Sequence, residues 1–188
     1  MIFIINILLF SLLVVFVGIM LVHPHLSIGQ SNTDYLTYTN TELGFTVEYP
    51  SDWTISEDLI YHEEGIPDTV YIHSPNSDTD DAYFAIQVNK SGMRTLEDLE
   101  NEMVNTIKNF SLIEVNNDSY YLGGYPAVRI IAVGIPMNQT HESRVVDYET
   151  WIDGKQYSVL STARTNLFSE FEPIFQRMVE SFRVIKAQ

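Results

Sequence analysis

The sequence predicts an α+β fold, an antiparallel β-sheet sandwiched by α-helices and preceded by a single apolar N-terminal helix. Three observations lead there. Between Thr39 and Thr162, apolar and polar residues alternate in short runs punctuated by Gly, Pro, Asn and Asp, the period of half-buried strands. Near residues 91–110 and 168–182 the apolar positions recur every three or four residues instead, the period of a helix with one buried face. Met1 to Val22 carries no charged side chain at all. Helices with one apolar stripe need a sheet face to bury it against, so the strand runs and the two amphipathic helices complete each other.

Residues 1–22 come first. A helix of that length spans about 33 Å, enough to cross a hydrocarbon core of roughly 30 Å. No Lys or Arg precedes the run, and it exceeds the ~7–15 apolar residues of a cleaved signal peptide. A transmembrane anchor is therefore expected, with signal-peptide cleavage after Ser27-Ile28-Gly29 as the alternative. The first basic residue is Lys90, so no basic cluster holds the C-terminal side in the cytoplasm. The expected location is the cell membrane, single-pass with the C-terminal domain outside the cytoplasm, or secreted if the segment is cut. Residues 23–38 are rich in Ser, Thr, Asn and Gly and read as a linker. Residues 39–188 form the domain.

The formal charge is −15, and all of it lies after the apolar segment, since the first charged residue is Asp34. Twelve acids and no base occur between Asp34 and Asp81. That charge argues against nucleic acid and against an anionic bilayer surface as partners, because both need clustered Lys and Arg. With no cysteine, disulfides, thiolate metal sites and a lipid-modified Cys are excluded.

The domain reads in order as follows. Phe45, Val47 and Tyr49 alternate with Thr46 and Glu48 as a strand, which Pro50 ends because it cannot donate to a ladder. Ser51-Asp52 suits a turn, and Trp53 is expected to fold back on the core. Strands follow at 69–73 and 82–89. Leu96, Leu99, Met103, Ile107 and Phe110 mark a helix within 91–110, with Thr95 and Asp98 as a capping box. Strands at 112–115 and 119–122 are expected to flank a turn at Asn116-Asn117-Asp118. A long apolar strand, 127–133, is interrupted only by Arg129. Asp153-Gly154 between 145–152 and 155–162 is a strong hairpin signal. The last helix carries Phe168, Phe171, Phe175, Met178 and Phe182 on one stripe, with Ser169 as its expected cap and Pro173 in its first turn. Each helix is expected to run about four turns.

The succession "GFTVEYPSDW", "GGYPAVRIIA", "WIDGKQYSVLSTA" and "FEPIFQRMVESFRV" resembles the PsbP-like family over roughly Thr39 to Val184. That family takes its name from an extrinsic protein of the photosystem II oxygen-evolving complex. It includes exported prokaryotic proteins with no photosynthetic role, and a Ran-binding nuclear import factor shares the fold. The resemblance implies an antiparallel sheet sandwiched by helices, and non-catalytic binding or accessory work. It supplies no functional residue, because the matching signatures are strands, turns and helix stripes.

Few residues point to chemistry directly. Asn76, Asp78, Asp80 and Asp81 form an acidic loop that could take a divalent cation weakly. It is no EF-hand, since Asp81 stands where the loop needs Gly and Gln87 where it needs Glu. His62 and His73 could converge if their segments are neighbours, but no second His completes a zinc helix after His62. Asn89, Asn109, Asn117 and Asn138 begin sequons and are candidate N-glycosylation sites. No nucleophile elbow, P-loop or dinucleotide fingerprint occurs, so neither a catalytic residue nor a cofactor is assigned. The expected function is a non-catalytic module, tethered through residues 1–22, that binds or supports another cell-envelope component. The alternatives are a small-ligand binder or hydrolase with a cleft between sheet and helix, and a divalent-cation-binding accessory protein.

Overall fold

The computed structural model describes residues 34–59, 66–75, 82–90, 94–106, 110–136 and 140–185. The apolar segment 1–22 lies outside them. Among the described residues, no helix is long and apolar enough to cross a membrane.

Among the described residues, ten strands and two helices follow one another as β1 (Tyr35–Asn40), β2 (Phe45–Pro50), β3 (Thr54–Asp58), β4 (Asp68–His73), β5 (Ala82–Lys90), α1 (Leu96–Thr106), β6 (Phe110–Leu122), β7 (Tyr125–Gly134), β8 (Ser143–Ile152), β9 (Lys155–Arg164), α2 (Phe168–Ser181) and β10 (Arg183–Val184). Seven strands make one sheet in the order β3-β4-β5-β9-β8-β7-β6, and three make a smaller one, β1-β2-β10. Every pairing is antiparallel. The α+β expectation thus holds for the described residues, with β1 beginning at Tyr35, inside the segment read as linker.

The two faces of the large sheet are covered unequally. On one lie α2 and the small sheet. Phe175, Met178 and Phe182 pack with Phe45, Phe84 and Val159 in the main core. Phe45 stacks on Phe182 at 5.8 Å, and Trp53 meets Phe171 and Phe175 edge-on at 6.0 Å. Trp53 therefore folds back on the core as its position after Pro50 suggests, and its backbone N–H donates to the Pro50 carbonyl at 3.0 Å. On the other face lies α1, whose Leu99 and Met103 bury against Val128 and Ile130 in a much smaller cluster. Beside that cluster the sheet face is polar: Glu149, Ser158 and Gln87 are successive cross-strand neighbours, as are Gln156 and Asn89.

The Asp153-Gly154 turn adopts the conformation its sequence requires. Both residues have positive φ, 50° and 83°, which lets a two-residue turn follow the twist of its strands. Thr95 and Asp98 cap α1 reciprocally, the Asp98 N–H donating to Thr95 Oγ1 at 3.1 Å and the Thr95 N–H to Asp98 Oδ2 at 2.8 Å.

Three local expectations are corrected. Asn116-Asn117-Asp118 makes no turn. The chain runs through it as one 13-residue strand, β6, with register shifts between Leu112 and Glu114 and between Asn116 and Tyr120. Pairing with the long strand β7 absorbs the extra residues as bulges, so the ladder overrides local turn preference. Phe110, read as the last position of the first helix stripe, instead begins β6, while Leu96–Thr106 is helical and Ile107 lies outside the described residues. Ser169 does not cap α2. The helix starts two residues earlier than that cap would place it, with Leu167 at the cap position and no side-chain cap bond. Phe168 is buried with its ring 5.6 Å from that of Phe175, so packing draws it into the first turn.

Candidate functional site

Beside α2, over strands β6 to β8, the large sheet forms the floor of a groove of about 330 Å³. The groove is built around Arg129. Strand alternation and register place this residue opposite Tyr148 on β8, while Tyr120 reaches in from β6. The guanidinium carbon lies 4.9 Å from the Tyr120 ring centroid and 5.7 Å from that of Tyr148. Arg129 Nη1 donates to Glu114 Oε1 at 2.9 Å and to the Tyr120 hydroxyl at 3.1 Å. The two tyrosine rings meet edge-on at 5.9 Å. A charged residue is tolerated in this apolar strand because a carboxylate and two aromatic faces replace part of its hydration.

The electrostatics follow from that clamp. Burial works to lower the pKa of Arg129, but Tyr148, Tyr120 and Glu114 together hold it above its ordinary value. Burial raises the Tyr148 phenol, against the pull of Arg129. Arg129 is therefore a permanent cation near neutral pH and Tyr148 a permanent hydroxyl. Proton transfer needs a group whose pKa lies near the working pH, and these two lie far from it. Fixed donors and aromatic faces suit binding.

Phe168, Phe175 and Val146 supply an apolar floor, and Glu172 and Glu180 of α2 supply an acidic rim. Tyr121 stands at the mouth, 66% exposed. An adjoining cavity of about 380 Å³ shares Tyr121, Val179 and Glu180 with the first and ends at Gly123, Gly124 and Arg183. The groove thus runs along α2 as far as the β6–β7 turn.

Asn76, Asp78, Asp80 and Asp81 lie outside the described residues, as do Asn109, Asn138 and His62. Asn89 is half-buried on β5, on the face opposite the groove, and Asn117 falls within β6. His73 sits on β4 with Nε2 3.0 Å from Ser56 Oγ and its ring stacked on Tyr71. Among the described residues, no three His, Asp or Glu are grouped to hold a metal. Neither tryptophan reaches the groove: Trp53 belongs to the main core and Trp151 packs against the α1 cluster.

The groove residues were not singled out by sequence motifs. One signal was present, since Arg129 is the sole charge in an apolar strand and such a residue needs partners. Tyr120 and Tyr148 gave no sign, because only register brings them to Arg129.

No family model matches the chain, and no curated protein does. Solved structures do. The PsbP protein CyanoP of Synechocystis sp. PCC 6803 aligns over 83% of this chain and 95% of its own, with TM-score 0.55 and 17% identity. The Saccharomyces cerevisiae Ran-binding protein Mog1p aligns over 82% and 97%, with TM-score 0.53 and 8% identity. A Bacteroides thetaiotaomicron VPI-5482 protein aligns over 80% of this chain at TM-score 0.51 and 14% identity. The chain spans about half of that last protein, 48%. At these identities the likeness is one of fold.

Proposed function

This chain has the PsbP-like fold, and from that premise we propose that it is a non-catalytic binding module of the cell envelope. Residues 1–22 tether it to the membrane, its domain lies outside the cytoplasm, and its partner is another envelope component. The observation that carries the reading is the groove along α2, whose central groups, Arg129 and Tyr148, keep fixed protonation states near neutral pH. An apolar floor with an acidic rim complements an apolar segment that carries a basic side chain. Such a segment lays its apolar residues on Tyr121 and Val179 and its charge beside Glu172 or Glu180.

A photo-crosslinking amino acid in place of Tyr121, in intact cells, tests this reading. One envelope protein should be captured there and lost when Val179→Asp is added. The same photo-crosslinker in place of Asn101, on α1, should not capture it. Equal capture from both positions, or none from Tyr121, sinks the groove as the partner site. Retention of the full-length chain in membranes after alkaline extraction tests the tether, and a mature chain starting at Gln30 overturns it.

A further inference from the structure

The large sheet holds a second cavity, on the face away from the groove, of about 330 Å³. It opens between α1 and strands β5, β9 and β8, and apart from Pro67 its walls are polar. Gln87 and Asn89 come from β5, Gln156 and Ser158 from β9, Glu149 from β8 and Thr106 from the end of α1. Register explains why they meet. Gln87 pairs with Ser158, Ser158 with Glu149, and Asn89 with Gln156, so polar side chains repeat across three strands at roughly 4.8 Å intervals. We propose that this cavity is a binding site for a small uncharged, hydroxyl-rich ligand, a polyol or a single sugar ring.

Folding alone gives no reason for such walls. Glu149, Gln156 and Ser158 are all more than nine-tenths buried in the middle of a sheet. Apolar residues of similar size at those positions stabilise a fold at least as well. The cavity also lies within the ~300–1,000 Å³ range of small-molecule sites.

The walls select the ligand's class. Carboxamides present donor and acceptor together, and the Ser158 and Thr106 hydroxyls, which donate to Asp147 and to the Glu102 carbonyl, keep acceptor lone pairs, a set that a hydroxyl-bearing ligand answers. Gln156 Nε2 already donates to Glu149 Oε2 at 3.0 Å and Ser158 Oγ to Asp147 Oδ1 at 2.9 Å, so the carboxyls hold their neighbours in place. None of the lining residues is basic, which leaves an anion without a counter-charge. Glu102 at the rim is paired with Arg94. Burial, with the Asp147 carboxyl close by, keeps the proton on Glu149. The walls therefore carry no unpaired ionic charge for a cation to answer, and a cation would have to expel that proton to bind.

The site is independent of the groove, and its test is separate. Side-chain amide signals of Gln87, Asn89 and Gln156 are followed by ¹H–¹⁵N spectroscopy in the full-length chain, kept in a sugar-free detergent. The probes are myo-inositol, D-glucose and glycerol, with 1,4-diaminobutane and acetate as charged controls. The polyols should shift these signals saturably and without proton release, while the controls leave them unmoved. Gln87→Leu and Thr106→Val should each weaken binding about tenfold, the loss of one to two hydrogen bonds. Thr106 lies at an exposed end of α1, so its variant decides the matter if Gln87→Leu disturbs the sheet. Binding of diaminobutane with proton release, absence of saturable shifts with every polyol, or binding indifferent to both variants overturns the proposal.

Discussion

At Glu149 and Asp147 the chain keeps two carboxyls in a sheet interior, and their protonation is coupled to folding. Burial, with Asp147 adding to it, raises Glu149 to about 9, and burial raises Asp147 to about 7. An acid whose folded pKa lies above its unfolded one binds its proton more tightly when folded. Its stability contribution is therefore best below the unfolded pKa and declines as pH rises toward the folded value. The window runs from the ordinary carboxyl values, 3.8 for Asp147 and 4.5 for Glu149, up to about 7 and about 9. Thermal unfolding should accordingly show Tm falling from pH 5 to pH 9. Glu149→Gln, which keeps shape and hydrogen-bonding capacity, should flatten that slope and stabilise the chain at pH 8 by roughly 1–3 kcal/mol. A variant less stable than the parent at pH 8 contradicts this account. Neither carboxyl was conspicuous in the sequence. Both stand at alternate positions of a strand, where acids ordinarily face water, and only the placement of α1 and β9 encloses them. Arg129, by contrast, stood out as a charge within an apolar run, although its tyrosine partners did not.

The elements were legible wherever a local signal and the tertiary ladder agreed. The Asp153-Gly154 hairpin is one such place. Gly154 has φ of 83°, a conformation that side chains with a Cβ rarely adopt. Gly154→Ala should cost about 1 kcal/mol in urea unfolding, with the m-value unchanged, since the Cβ meets nothing and only the backbone is strained. The α1 cap is another. Thr95→Ala removes the acceptor for the Asp98 N–H and should also cost about 1 kcal/mol. Its effect should appear first as faster amide exchange within α1, because only a small apolar cluster holds that helix down. Expectation failed where the two levels disagreed. Asn116-Asn117-Asp118 has every local mark of a turn, yet β7 pairs with β6 on both sides of it and turn chemistry yields to a bulge. In α2, the burial of Phe168 outweighed the capping preference of Ser169.

Over the whole molecule the dominant quantity is charge. With a formal −15 and few bases to pair, the compact state suffers more self-repulsion than the expanded one. Raising salt from ~0.02 M to ~0.5 M shortens the screening length several-fold, so Tm should rise in NaCl. A Tm that is flat or falling with salt would show the acids to be well dispersed or paired. The fold class was readable because alternation and helix period report which face of each element is buried, and that is information about architecture. The groove and the polar cavity depend on register between strands distant in sequence, and no local pattern carries it.

The small sheet joins the beginning of the domain to its end. β10 pairs with β2, Arg183 opposite Thr46 and Val184 opposite Phe45, and the Ile185 N–H donates to the Gly44 carbonyl at 2.8 Å. The large sheet is likewise closed at its centre only when β9 reaches β5. Local hairpins such as β8–β9 can form early, but the joints that unite them carry a high loop-closure entropy and come late. While the chain is still emerging, β2 keeps an open edge and Phe45 lacks the ring of Phe182 that stacks on it. The domain thus reaches its native state only after its last strand is free. Until then β2 presents an unpaired edge, on which one nascent chain is open to pairing with another.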